Sequence, residues 1–502
     1  MNPAQRQFSV SARSAKSKFL SIPLSLRVPL VLCALVVGLF RAGAATWYVS
    51  TNGSDSADGT YWPTAKLTIQ AAVNASTIGD TVLVTNGVYA SGSTNFPGTL
   101  LLSGASRVVI NKAIIVQSVN GPAVTTIQGA KGVSNPYTNA VRCVFLATNA
   151  TLSGFTLTNG GTSYNYFANY GYLGNYGGGV ACPNWSGIVS NCIIIGNSSA
   201  YNGGGAFGGT LNNCILSQNN SYLDDGGGAA DSALNNCLLV GNIVQNFAYG
   251  GGAVNSTLNN CTVVGNRGGN GGGISYNPSY DTAPSFATNC IIFFNTTLDG
   301  VTPGAWPNHY DSAVSYSCTT PFLQADQVPI TTFTHNITNA PVFISTNNFN
   351  YRLSPFSYWG VDMGLNAAAP GLTDLAGNPR LVNGTVDMGC YENPVAWSQL
   401  IGTNGVVDVN ALNAALAVFD PANTNSLYTL GQVQALNVGN PLLQKNANGQ
   451  FKLTIAVRKA TNLTNFTAFP MTAPQTMING QGALEFQFTS PDNAAFFRLQ
   501  SQ

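Results

Sequence analysis

Five cysteines recur at one position of a repeating unit. Cys192, Cys214, Cys237, Cys261 and Cys290 are spaced by 22, 23, 24 and 29 residues. An asparagine precedes each (Asn191, Asn213, Asn236, Asn260, Asn289), and a second follows five residues on (Asn197, Asn219, Asn242, Asn266, Asn295). Apolar strand-formers lie between, as in Cys237-Leu-Leu-Val-Gly-Asn242. Glycine triplets stand upstream at 177–179, 203–205, 226–228, 250–252 and 271–273. Leu152-Ser-Gly-Phe-Thr-Leu-Thr-Asn159 reads as a degenerate coil with Gly154 in the cysteine slot.

A period of this length holds two or three short strands and their turns, which is one rung of a parallel β-helix. Rungs hydrogen-bond about 4.8 Å apart, so equivalent positions stack into ladders. Cysteine, small and apolar, suits an inward ladder. Asparagine tolerates the left-handed turn conformation and can hydrogen-bond to its counterpart in the next rung. The glycines supply positive φ or close backbone approach at another corner. A βαβ arrangement needs helical stretches between strands, and none is visible. The expected fold class is all-β: a right-handed parallel β-helix solenoid with an N-terminal helical cap and a small, mixed or β-rich C-terminal domain.

The glycine pairs followed by Ala or Ile (Gly204-Gly205-Ala206, Gly251-Gly252-Ala253, Gly272-Gly273-Ile274), alternating with apolar-x-x-Asn, resemble the repeats of polymorphic outer membrane proteins. Those repeats belong to the right-handed β-helix superfamily that includes pectate lyases. The usual Phe three before the Asn is here Ile194, Leu216, Leu239, Val263 or Ile292. The likeness spans roughly residues 140–300 and implies architecture more than activity. Tyr351-Arg-Leu-Ser-Pro355, Val361-Asp-Met-Gly364, Thr373-Asp-Leu-Ala-Gly-Asn-Pro-Arg380 and Val386-Asp-Met-Gly-Cys-Tyr-Glu392 resemble the choice-of-anchor Q segment at the end of bacterial extracellular β-helices.

The ends bound the compartment. Five basic residues, an apolar run from Val28 to Phe40 and Ala42-Gly43-Ala44 have the layout of a secretory signal cleaved after Ala44. The competing reading is an uncleaved anchor, but thirteen apolar residues span only about 20 Å of helix against a hydrocarbon core of roughly 30 Å. Six basic residues and no acidic one precede Ala45, so cleavage takes the net charge from +1 to −5. That leaves no basic surface for nucleic acid, and no transmembrane span is expected after cleavage. Nine cysteines remain, an odd number that cannot all pair within one chain.

The remaining boundaries follow from composition. Residues 45–100 read as cap and first rungs, with Ile69, Ala72 and Val73 on one helical face. Residues 101–393 read as the β-helix, including the segment 351–392. Residues 394–502 read as a separate domain, with short helices within 406–418 and 427–438 and strands from Phe451 onward.

Candidates for chemistry are few. A lyase needs calcium and a base; a hydrolase needs two positioned carboxylates. Between residues 143 and 310 the basic side chains are Arg267 and His309 alone. Asp224, Asp225 and Asp231 share one coil and are the catalytic candidates, although the first two also suit a solvated turn. Tyr164, Tyr166, Phe167, Tyr170 and Tyr172 crowd one loop and are the candidates for stacking on sugar rings. Asp362, Asp374, Arg380, Asp387 and Glu392 read first as a buried ion-pair network closing the last rungs. Calcium on Asp362, Asp374, Asp387 and Glu392 is the alternative, and no other cofactor is called for. The expectation is a secreted or cell-surface scaffold that contacts an extracellular polysaccharide or surface partner. The alternative is a polysaccharide lyase or glycoside hydrolase of the pectate-lyase-like superfamily.

Overall fold

The computed structural model describes residues 44–393 except 96–103, 133–138, 164–172, 247, 279–283, 299–305, 321–334, 347–349, 355–356 and 358; beyond 393 it describes the backbone of six strands. The signal-type segment, the two C-terminal helical stretches and the aromatic loop therefore lie outside the described residues.

The core is a right-handed parallel β-helix. One coil shows its plan. Ala206–Phe207 belongs to an eight-stranded sheet (sheet 1), Thr210–Asn212 to a ten-stranded sheet (sheet 2), Ile215–Ser217 to a nine-stranded sheet (sheet 3) and Asn220–Ser221 to a five-stranded sheet (sheet 4). Every pairing within these four sheets is parallel and in register from coil to coil. Three-residue strands suit this plan because the middle residue points inward and its neighbours outward. Sheet 2 accordingly stacks Val116, Leu152, Val189, Leu211, Leu234 and Leu258 in one buried column. Sheet 3 does the same with Leu157, Ile194, Leu216, Leu239, Val263 and Ile292. Burying such columns is the main stabilising term, about 1.5–3 kcal/mol per large apolar side chain.

The N-terminal cap forms as expected. Helix α1 (Ile69–Ala75) starts at Thr68, whose hydroxyl accepts from the Ala71 amide, and Ile69, Ala72 and Val73 enter the core cluster. Asp55 holds the helix entry by accepting from the Leu67 and Thr68 amides.

The five cysteines are the inward ladder the spacing implied, each at most 1% exposed and none in a disulfide. Each Sγ donates to the carbonyl two residues back, as from Cys237 to Asn235 O at 3.3 Å. Burial pushes four of these thiols (Cys192, Cys214, Cys237 and Cys261) well above the ordinary range, and outside the ladder it pushes Cys143, Cys182, Cys318 and Cys390 up to about 12.

One sequence expectation needs correction. Gly154 is not in the cysteine slot. Thr156 pairs with Ile193, which sets Phe155 opposite Cys192 and Gly154 opposite Asn191. The Phe155 amide donates to the Cys192 Sγ at 3.5 Å, as the Cys261 amide does to Cys290 Sγ. The slot requires a buried apolar side chain, which Phe155 supplies; the position before it requires positive φ, which Gly154 supplies at +80°. The two asparagine series divide the expected roles between them. The left-handed residues are Asn191, Asn213, Asn236, Asn260 and Asn289, ahead of each cysteine, with φ of 48–53° for the first four and 56° for the last. In the other series it is the residue before each asparagine that turns left-handed: Gly196, Gln218, Gly241, Gly265 or Phe294.

The ladder of Asn197, Asn219, Asn242, Asn266 and Asn295 is interior, at most 4% exposed. Each Oδ1 from Asn219 upward accepts both the backbone amide and the Nδ2 of the asparagine below, as Asn242 does from Asn219 at 3.0 Å each. Each Nδ2 also donates to a backbone carbonyl, such as Asn242 to Leu216 O at 2.9 Å. Gly160 ends the ladder below and Asn308 above. The glycine triplets divide their labour. Gly203 takes φ of +71°, whereas a Cβ on Gly205 would stand 2.6 Å from Gly228 O and 2.8 Å from Asn219 Nδ2. The triplet thus leaves room for the asparagine ladder.

The segment 351–393 does not close the end of the coil stack; it lies along its flank. Tyr351 and Cys390 pack on Leu238, Val240 and Val264, and Leu353, Val361 and Met388 pack on Ile291 and Cys318. These partners are outward positions of sheet 3, Cys318 standing in register with Ile291. The corner asparagines fasten the segment: Asn236 Nδ2 donates to Pro370 O and Thr373 O, and Asn260 Nδ2 to Asp387 O. Beyond residue 393, the strands Leu442–Lys445, Phe451–Ala460, Thr467–Ala468, Thr476–Ile478, Leu484–Phe486 and Phe496–Ser501 pair antiparallel.

Candidate functional site

The coil carrying Asp224, Asp225 and Asp231 gives each carboxylate a different setting. Asp225 is 1% exposed; its Oδ1 accepts from the Tyr249 amide at 2.7 Å and its Oδ2 from Asn277 Nδ2 at 2.6 Å. Burial raises its pKa, partly offset by those two bonds. Asp224 is half-buried. Asp231 is half-buried beyond the strand of sheet 1, with φ of +51°, and its carbonyl accepts from Trp185 Nε1 at 2.6 Å. The three do not form a cluster of convergent oxygens. Among the described residues one group of three ligand atoms lies within 4.8 Å, and it is Asp362, Asp387 and Glu392.

That group belongs to the flanking segment. Asp387 Oδ1 accepts from the Asp362 amide at 2.7 Å and Oδ2 from the Asn393 amide at 2.5 Å. Glu392 Oε1 accepts from the Val382 amide and Oε2 from the Asp387 amide. Arg380 places its Nε 3.9 Å from Glu392 Oε2 and donates through Nη2 to Asp387 O and Gly389 O. Asp374 stands outside the trio, with Oδ1 on the Ala376 and Asn378 amides and Oδ2 on the Glu392 amide. Burial pushes both Asp387 and Glu392 up, and their mutual repulsion adds to the rise of Glu392. The four oxygens of Asp387 and Glu392 are engaged by backbone amides. Those bonds and Arg380 tie the segment together, and the three carboxylates still bring ligand atoms within 4.8 Å of one another, a spacing that fits a cation.

Of the aromatic candidates, Tyr164, Tyr166, Phe167, Tyr170 and Tyr172 lie outside the described residues. Tyr176, next along, is 7% exposed and packs its ring 4.6 Å from that of Phe207.

Two features escaped the sequence reading. A cavity of about 370 Å³ opens beside α1 between Asp55, Gln70, Tyr89 and Arg107. Its polar groups are engaged: Asp55 holds the helix entry, Gln70 exchanges bonds with the Val109 backbone, and Arg107 donates to Gln128 O and Gly92 O. The other feature is the outer face of sheet 2. Its outward residues form two columns, through Thr210 and Asn212, Ala233 and Asn235, and Thr257 and Asn259 in the middle coils. The columns run down through Ile188 and Ser190 to Thr151 and Ser153, and up through Phe286 and Thr288 to Ala313 and Ser315. Asn235 Nδ2 donates to Asn212 Oδ1 at 2.9 Å, and Asn259 Nδ2 to Asn235 Oδ1 at 3.1 Å. No charged residue stands in either column. The signal was the triplet Thr-Leu-Asn or Ala-Leu-Asn that ends two residues ahead of each middle cysteine.

Comparisons with known proteins return distant likenesses only. Neither a protein-family profile nor a curated protein matches the chain. Among solved structures it is similar to a rhamnogalacturonan lyase at 13% identity, covering 74% of this chain and 98% of that one, with a TM-score of 0.34. A complex of XylC with xylose matches at 10% identity over 56% of this chain and 66% of that one, TM-score 0.28. A pectin methylesterase bound to a hexasaccharide matches at 11% over 59% and 94%, TM-score 0.26. The parallel sheets themselves establish the β-helix.

Proposed function

We propose that this protein is a secreted or cell-surface scaffold that contacts extracellular glycan without turning it over. The placement of its charged groups carries the reading. Among the described residues the convergent carboxylates sit on the flanking segment and are held by backbone amides. Asp225, the buried acid of the repeat, is 1% exposed with both oxygens engaged. General acid–base catalysis requires a group within hydrogen-bond reach of the substrate, and neither setting offers one. The N-terminal basic, apolar and small-residue layout supports export, and among the described residues no helix is long and apolar enough to cross a membrane. The resemblances to polymorphic outer membrane protein repeats and to the choice-of-anchor Q segment support a cell-surface setting.

The test is a panel of polysaccharides, neutral and uronate-containing, incubated with the mature chain with and without calcium. Retention on at least one polymer, with no new reducing ends and no unsaturated-uronate absorbance, is expected. Turnover abolished by Asp224→Ala with Asp225→Ala would overturn the reading and make the protein a lyase or hydrolase.

A further inference from the structure

We infer that the outer face of sheet 2 is the glycan-contacting surface and that its ligand is an uncharged, extended polysaccharide chain. The inference rests on the proposed glycan-contacting role and adds to it a place and a substrate class. Three observations carry it.

The first is composition under a strict register. From Thr151 to Ala313 the strip crosses seven coils, six steps of about 4.8 Å, or roughly 29 Å. Along that length it presents hydroxyls, amides and apolar groups, Ile188 and Phe286 among them, and no charge. A uronate polymer would be recognised by Arg, Lys or a bound cation, and the columns hold neither basic residue. A neutral polymer offers hydroxyls that both donate and accept, matching Thr and Asn.

The second is the contrast with sheet 3, which shows how this chain furnishes a face that protein covers. There the outward positions are Leu238, Val240, Val264 and Ile291, and the segment 351–390 packs on them. At the equivalent positions of the same coils sheet 2 carries Ala233, Asn235, Thr257, Asn259 and Thr288, all half-buried, and the exposed Phe286. A strip two residues wide is also too narrow for a stable protein interface: about 7 Å by 29 Å is near 200 Å², against roughly 800 Å² per partner. One linear chain fits it.

The third is preorganisation. The amide bonds between Asn212, Asn235 and Asn259 fix side chains that would otherwise rotate freely, so less conformational entropy is lost on binding. Trp185 stands at the edge of the strip, 52% exposed, with its indole N–H tied to Asp231 O. Ile188 and Phe286, 38% and 45% exposed, lie within the first column. Such groups suit the apolar faces of sugar rings.

The experiment is depletion of the mature protein onto insoluble neutral polymers (cellulose, chitin, mannan) and onto polygalacturonate gel. It compares wild type, Thr210→Glu with Thr257→Glu, and Ile243→Glu as a control on sheet 4. A melting curve for each variant confirms folding. Wild type and Ile243→Glu should be retained on a neutral polymer. The double glutamate variant should lose retention roughly tenfold or more, since each charge would lack a partner once a neutral chain covers it. Equal retention of the folded double variant would overturn the placement while leaving the glycan-contacting role standing. Preference for polygalacturonate would overturn the uncharged class. Retention of wild type on none of the polymers would overturn the glycan-contacting role itself, and this inference with it.

Discussion

The same residue builds two ladders in this protein, one inside the coil stack and one on its surface. Inside, the oxygen of Asn242 accepts two N–H groups from Asn219, and its Nδ2 donates to Asn266 and to Leu216 O. Outside, Asn235 has one amide bond to each neighbour and meets solvent with the rest of its surface. A buried amide must satisfy every donor and acceptor within the protein, so its ladder is saturated and any gap is costly. A half-exposed amide exchanges with water at little cost, so its ladder is free to present groups to a ligand. Identical spacing therefore serves stability in one place and display in the other.

The widest expected contrast is chemical. The thiols pushed to about 12 by burial should react with a thiol reagent at neutral pH roughly a thousandfold slower than free cysteine, from thiolate fraction alone. Labelling counted by mass, native against denatured, checks this. Rapid native labelling of Cys192, Cys214, Cys237 or Cys261 would show that the interior column is open.

Asn242→Ala should follow in size. It orphans the buried Asn219 amide and removes one acceptor from Asn219 Nδ2 and one donor each from Asn266 Oδ1 and Leu216 O, a loss of about 3 kcal/mol in denaturant unfolding. The carboxylate segment should show a smaller, pH-dependent effect. Asp387 and Glu392 have raised pKa values in the folded chain. Their contribution is therefore fully present below the unfolded carboxylate pKa and is lost as pH rises through the raised folded values. The slope is at most about 1.4 kcal/mol per pH unit for each proton released. Glu392→Gln should flatten that slope in unfolding curves taken from pH 5 to pH 9; an unchanged slope would place the titration elsewhere. Smallest of all, Asn235→Ala should change stability by no more than about 0.5 kcal/mol. A loss approaching that of Asn242→Ala would erase the distinction between the ladders.

Much of this was legible in the repeat itself. The inward column from Cys192 to Cys290 and the buried face of α1 follow from spacing, because a strict register leaves little freedom. Gly154 was misplaced by one position because Gly and Asn159 were aligned on letters; the physical demand is for an apolar side chain in the slot, with a left-handed residue ahead of it. The left-handed role of Asn213 and its equivalents, rather than of Asn219, was illegible because both series are asparagine. The lateral packing of 351–393 depends on contacts such as Asn260 to Asp387, 127 residues apart, which no local pattern encodes. The sheet 2 strip escaped because small polar residues read as turn or filler until the register aligns them.

The most direct test of the account sets Asn242→Asp beside Asn235→Asp and measures both unfolding and retention on an insoluble neutral glycan. The account expects a crossed result. Asn242→Asp should lose about 4 kcal/mol or more of stability from an unpaired buried charge, whereas Asn235→Asp should stay folded at near wild-type stability and lose glycan retention. Retention unchanged in Asn235→Asp, or a comparable stability loss in both variants, would contradict it.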